Sequence, residues 1–458
     1  MNSTQNSQAA FLIVVLIIAT VVQCRKHYGK WLNPIAIIFV WWAGWLAVAE
    51  INFIGIPSPS YYLVSIIIIG LIFVLFGALT ARRRNPIQQF EYSSYIQYTK
   101  IAKYIKLIIV FISGPVLWFG IQGLIKQSHL FSVSDYRGMA LEGVGVYGSV
   151  IGYLFYNRII APLLFCCILW VQCCGNSRNK KEKLLMALVV VLVAVDSMGN
   201  LGRTTIYFMA IGLAYCWIFR NQRHNLTSYK FSKMHILGAA FVCWLIWMSQ
   251  RRFAAGGMDA ITLSSYFAIW YHTAGFVLFD IELNDSISRL NNSITFGQAS
   301  FGGLIEYVLL MFRPIVQFDS VSHLNGIYQN EMKIIGYSDV LNAPIFSNAY
   351  YTVFYSLFQD FRWFGIIGGC FLYGRILNNS YRRYISSGNI ADLYLLNALM
   401  FCGMFGIFQS PLESARFWMV IIFYIFIFKV KIKIKTSMKR MQIRQTSPDQ
   451  DAITLTSD

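Results

Sequence analysis

YYLVSIIIIGLIFVLFGALT, residues Tyr61–Thr80, followed almost at once by Arg82-Arg83-Arg84, decides the class of this chain. The run carries no charge, and as a helix it extends about 30 Å, the thickness of a bilayer's hydrocarbon core. Only a helix or a closed barrel satisfies its own backbone N–H and C=O groups in that medium. The arginines mark the end at which the helix re-enters water, and basic residues in short loops stay on the cytoplasmic side.

The rest of the chain repeats this pattern. Of its 458 residues 57% are hydrophobic and only 13% charged, far from a soluble average. About eleven runs read as spans. They are Ala9 to Gln23, Asn33 to Ala49, Tyr61 to Thr80, Ile105 to Ile125, Gly148 to Val171, Leu184 to Ser197, Thr204 to Phe219, Ile236 to Ser249, Trp363 to Leu377, Leu393 to Gln409, and Phe417 to Phe428. The expected fold is an all-α, polytopic helical bundle. Residues 1–249 hold spans one to eight, 250–362 a long outer segment, 363–430 spans nine to eleven, and 431–458 a basic tail.

Orientation follows from the odd-numbered loops, which carry Arg25, Lys26 and Lys30, then Arg82 to Arg84, Arg178 to Lys183, Arg220 to Lys233, and Arg382 with Arg383. The second loop, 50–60, has no Lys or Arg. The amino terminus is therefore expected outside and the carboxyl terminus in the cytoplasm. Two further apolar stretches, Tyr266 to Leu283 and Phe301 to Phe312, would preserve this alternation if they formed a crossing pair, giving 13 spans. The first stretch has no basic residue before it, so a retained span is expected rather than a signal peptide.

A net charge of +18 does not point to nucleic acid, because the cations are spread over inner loops instead of one domain. Anionic headgroups of the bilayer are the expected partner. All nine cysteines lie in or beside spans and none in 250–362, so no disulfide framework or zinc site is expected there. No internal repeat of the kind found in many transporters is visible.

Candidates for chemistry concentrate on the outer side. Asp196-Ser-Met-Gly-Asn-Leu-Gly-Arg203 joins two spans with almost no loop, and Arg203 stands where a helix dipole and free amides favour an anion. Interfacial anchoring or pairing with Asp196 is the alternative. Arg251 and Arg252 follow the eighth run, suited either to phospholipid headgroups or to a pyrophosphate. Glu306 and Arg313 border the second apolar stretch of the long segment. Asp319 and His323 are four apart, on one face if helical, where the carboxylate would orient the imidazole as a base; a surface loop without chemistry explains them equally. Arg137, in Asp135-Tyr-Arg-Gly138, is a candidate for glycan contact, and His272 reads as a packing residue.

The most distinctive tract runs from Asn348 through Asp360-Phe-Arg362-Trp-Phe-Gly365 to Gly368. Its aromatic residues suit headgroup anchoring or sugar stacking. This tract, with Gly202-Arg203-Thr204 opening a helix upstream and the long late outer segment, resembles the bacterial Wzy-type O-antigen polymerases. The resemblance covers most of the length as architecture and only these tracts as sequence. It implies an inner-membrane glycosyltransferase of the C type working at the periplasmic face. Such enzymes move a glycan from undecaprenyl pyrophosphate onto another lipid-linked repeat unit, and a chain-length regulator is a possible partner. By the resemblance, Arg203, Arg251, Arg252 and Arg313 bind the pyrophosphate, Arg137, Glu306 and Asn348 contact substrate, and Asp319, His323 or Asp360 serves as base. The arginine-to-glycine spacing of some members is not reproduced: Arg203 to Gly212 is shorter and Arg313 to Gly326 longer. No acidic cluster typical of magnesium occurs, so a reaction without metal or other cofactor is expected. An O-antigen ligase and a lipid-linked oligosaccharide flippase are the rival readings.

Overall fold

The computed structural model describes residues 3–51, 55–81, 91–129, 147–174, 180–200, 202, 204–223, 260–312, 331–338, 343–347 and 351–426. Over these the chain is mostly helical. Five helices are long and apolar enough to cross a membrane: Ser7–Tyr28, Pro34–Ile51, Tyr61–Leu79, Tyr104–Lys126 and Ile151–Cys174.

In order the elements are α1 (Ser3–Tyr28), α2 (Pro34–Ile51), α3 (Tyr61–Leu79) and α4 (Glu91–His129). Next comes α5 (Val150–Phe155), which continues through a π turn, Tyr156–Ile160, into α6 (Ala161–Cys174). Then follow α7 (Lys180–Asn200), α8 (Thr204–Arg223), α9 (Ala260–Asn284), the short α10 (Arg289–Asn292) and α11 (Gly302–Phe312). The strands β1 (Lys333–Ser338) and β2 (Ala343–Ser347) precede α12 (Val353–Ser387), α13 (Ile390–Phe405) and α14 (Ala415–Tyr424).

The opening stretch packs as α3 against the second half of α12. Both helices put glycine at the contact: a Cβ on Gly77 would lie 2.0 Å from the Phe371 carbonyl oxygen, and one on Gly374 2.0 Å from that of Val74. Lipid supplies no hydrophobic drive between helices, so close backbone approach through small residues is how they associate. The Asn378 amide then donates to the Ala78 carbonyl at 2.6 Å, in the buried interface.

α12 is two helices joined at a break, where Phe361 (φ −144°, ψ 21°) and Arg362 (φ 53°, ψ −134°) leave helical geometry. The span expected from Trp363 begins immediately after that break. The two apolar stretches of the long segment differ from one another. Tyr266 to Leu283 lies within α9, whose 25 residues extend about 38 Å. It runs in the same direction as α2: His272 stacks on Trp45 with ring centroids 3.9 Å apart, and Asp280 further along accepts from the Ser60 backbone N–H at 2.9 Å. The second stretch forms α11, whose 11 described residues span about 17 Å, too short to cross alone. The all-α expectation is corrected by the antiparallel β1–β2 hairpin, which carries a bulge between Ile334 and Gly336 and is laid against loop 55–60 by a Tyr337 N–H to Gly55 bond of 3.2 Å.

Charge separates the two ends of the bundle. At one end Arg382 meets His27, Gln222 reaches Leu32 and Tyr381, and Arg223 abuts Gly388. Arg25, Lys26 and Arg220 belong to the same end. The opposite end, where α2 stops and α3 begins, carries Glu50 and Asp280. Eight cysteines in the described residues are buried free thiols.

Candidate functional site

The π turn is where the sequence departs from regular helix, and proline is the reason. Pro162 has no N–H, so the carbonyl of Arg158, four residues earlier, loses its helical donor. The Tyr307 hydroxyl from α11 donates to that carbonyl at 2.7 Å instead. Single-turn π segments inside α-helices recur at functional sites.

The same turn turns its side chains toward three other elements. The Arg158 guanidinium approaches the Glu306 carboxylate at 3.4 Å, a single long contact that leaves most of its five donors outside this pair. Asn157 accepts from Arg416, at the start of α14, at 3.2 Å. Tyr156 donates to Asp196 near the end of α7, and Thr205, at the start of α8, donates to the other oxygen of that carboxylate at 2.7 Å. Two guanidinium groups thus meet on Asn157 and its neighbour at one end of the bundle. The N-terminus of α14, capped by Ser414, adds its positive dipole end beside Arg416.

α11 has to be held down for Glu306 and Tyr307 to reach Arg158. Gly303 sits where a Cβ would be 2.4 Å from the backbone carbonyl carbon of Ser414, and Phe301 stacks on Trp418 at 5.1 Å. Gly303→Ala is expected to push α11 off α14 and destabilise the protein by about 1–3 kcal/mol, the usual cost of overpacking. A thermal melt in detergent checks this, and an unchanged midpoint would refute the close packing.

The turn leading into α11 is fixed by Asp360. Its carboxylate accepts from the Thr295 hydroxyl at 2.6 Å, the Ala299 N–H at 3.0 Å and the Ser300 N–H at 2.7 Å, and the residue is 1% exposed. That turn includes Phe296 with φ 48°, a costly conformation for a non-glycine residue, so it needs such support. Across the helix break, Arg362 donates to the carbonyls of Leu290, Asn291 and Ser293. The tract Asp360-Phe-Arg362 therefore grips segment 290–300 with both signs of charge. Both Asp360 oxygens are engaged by donors of the fold, and the base role expected for it is not carried forward.

Of the expected site residues, Glu306 lies in the cluster and Asp360 about 9 Å up the chain from it along the start of α11. Arg137, Arg203, Arg251, Arg252, Arg313, Asp319, His323 and Asn348 lie outside the described residues. Arg158, Asn157, Tyr307 and Arg416 were not anticipated. The signal for Arg158 was present: a cation inside the apolar run Gly148 to Val171, four residues before a proline. His272 is packed as expected, its Nδ1 within 2.6 Å of the Ala268 carbonyl.

A second polar feature stands at the end carrying Glu50. A cavity of about 540 Å³ is lined by Ser58, Asp280, Asn284, Asp285, Ile335 and Gly336, among others, between loop 55–60, the end of α9 and the hairpin. Lys333 pairs with Glu282 beside it, and Tyr351 donates to the same carboxylate at 3.3 Å. Burial, with that carboxylate adjacent, pushes the Tyr351 phenol well above its usual range, so it remains a donor. Compared with protein-family models, curated proteins and solved structures, the chain matches none.

Proposed function

We propose that this protein is an O-antigen polymerase of the Wzy type, in which Arg158 and Arg416 hold a polyprenyl pyrophosphate at the periplasmic end of the bundle. The observation that carries this reading is the convergence of two guanidinium groups from separate helices on the π turn. Forked guanidinium groups suit pyrophosphate, and a charge kept at such depth in a membrane protein marks function by default. In the reaction an acceptor sugar hydroxyl attacks the anomeric carbon of the donor glycan. The bond from that carbon to the pyrophosphate oxygen breaks, polyprenyl pyrophosphate leaves, and the hydroxyl proton passes to a base, for which Asp319 and His323 stay the candidates. The guanidinium charges stabilise the leaving group as its negative charge develops. The cavity beneath the hairpin, with Asp280 and Asn284, offers planar polar groups suited to sugar hydroxyls.

In this reading α9 is the eighth of eleven crossings, and the outer segment begins after Asn284, not at Gln250. Arg251 and Arg252 then precede a helix that enters from the cytoplasmic side, in line with the positive-inside trend, and they leave the pyrophosphate site. Arg203 and Arg313 remain candidates beside the pair. The protein works in the bacterial inner membrane, with a chain-length regulator as its expected partner.

Gene loss separates the three rivals. Loss of a polymerase leaves single repeat units on the lipopolysaccharide core in a silver-stained gel. An unsubstituted core with polymer retained on the polyprenyl carrier would point to a ligase, and repeat units trapped on the cytoplasmic leaflet to a flippase; either result overturns the proposal.

A further inference from the structure

A groove of about 570 Å³ lies between α1 and α2. Its back wall is Trp41, Trp45 and Met404, and its lining is almost wholly apolar. That wall is rigid: the Trp41 indole donates to the Met404 carbonyl at 3.0 Å, and Trp45 is stacked on His272. Along α2 the groove extends from Ala36 to Val48, about 18 Å at the helical rise, close to the roughly 15 Å depth of one hydrocarbon leaflet.

The two ends of the groove differ in charge. Val21 lines it, and Arg25 is one turn further along the same face of α1. The Arg25 guanidinium stands 4.0 Å over the ring of Trp31, another lining residue, and Lys26 and Lys30 flank the same mouth. This is the end of the bundle where Arg223, Arg382 and Arg383 also gather. A slot of leaflet depth, apolar along its length and cationic at its mouth, matches a lipid with an anionic head.

We propose that the groove holds one acyl chain of an anionic phospholipid from the cytoplasmic leaflet, with the phosphate at Arg25 and its neighbouring lysines. Basic pockets between helices on the cytoplasmic side are recognised sites for anionic headgroups. The assignment rests on the orientation taken from the basic loops and is independent of glycosyl transfer, so failure of one leaves the other standing.

Gly44 supplies a clean test. It lines the groove, and a Cβ there would meet nothing within 4 Å, so a side chain at this position projects into the slot without displacing the fold. The full chain, purified in detergent, is titrated with phosphatidylglycerol or with phosphatidylcholine of the same acyl chains and read by native mass spectrometry. One phosphatidylglycerol is expected to be retained in preference to phosphatidylcholine. Arg25→Gln, at an exposed position, should weaken that retention about fivefold, as about 1 kcal/mol per cation implies. Gly44→Phe should abolish it while the lipid-free melting temperature stays unchanged. Equal retention of the two lipids, or phosphatidylglycerol retention unaffected by both substitutions, would overturn the proposal. Displacement of phosphatidylglycerol by polyprenyl phosphate at equal concentration would also overturn it, assigning the groove to the isoprenoid.

Discussion

Asp360→Ala is expected to destabilise the protein by roughly 2–4 kcal/mol and to abolish polymer, and Asp360→Asn to do nearly as much. The alanine leaves two buried backbone N–H groups, of Ala299 and Ser300, without an acceptor. Each hydrogen bond to a charged group is worth about 1.5–3 kcal/mol, and an orphaned buried donor costs a similar amount. Asparagine preserves the shape but has one acceptor oxygen instead of two. Whichever way its amide is turned, the NH2 faces either Ser300 N–H or Ala299 N–H, donor against donor. A catalytic base would behave differently, because its amide variant would melt like the wild type and lose transfer alone. Thermal melting of both variants in detergent, alongside gel analysis of their lipopolysaccharide, separates the two roles. An Asp360→Asn protein with wild-type stability and no polymer would restore the base.

The second large effect is expected at Arg158. Arg158→Ala should lower polymer formation by about 100-fold or more, the usual cost of removing one donor to a charge that develops in the transition state. Arg158→Lys should recover little, since an ammonium presents a point charge where a forked group is needed. Stability should change by less than about 1 kcal/mol, because a partly exposed ion pair such as Arg158 with Glu306 contributes little. Arg416→Ala should give the same phenotype, and the double variant should be scarcely worse than either single one if the two act as a unit. Quantified ladders at matched protein levels provide the measurement. Normal ladders from Arg158→Ala would remove the π turn from the mechanism.

The membrane-crossing character was legible because it depends on properties that add along the chain. Uncharged runs such as Tyr61 to Thr80 need no partner to be recognised, and α1 to α3 fall where they were expected. The break at Arg362 was also foreseeable as the end of an aromatic tract and the start of a glycine-containing run. The role of Asp360 was not, because its partners lie 60 to 65 residues away and two of them are backbone groups. No side-chain pattern announces a carboxylate that holds a turn. Glu306 was picked for its position on an apolar stretch, but its partner Arg158 is 148 residues distant. The direction of α9 escaped for a similar reason. Its sequence gives a helix, and only the contact of Asp280 with Ser60 shows which way it runs beside α2. The hairpin lay in a stretch where Lys333 to Ser338 and Ala343 to Ser347 were too short and too polar to stand out from a loop.

Everything proposed for the site turns on a polyprenyl pyrophosphate being released as glycan is joined. The direct measurement is reconstitution of the purified protein in proteoliposomes with undecaprenyl pyrophosphate-linked repeat units and no other enzyme. Glycan length and free undecaprenyl pyrophosphate are both read by mass spectrometry. The account predicts that the two rise together, one pyrophosphate carrier freed per new glycosidic bond, and that Arg158→Ala abolishes both. Repeat units that remain single, or that change leaflet without losing their carrier, would contradict it.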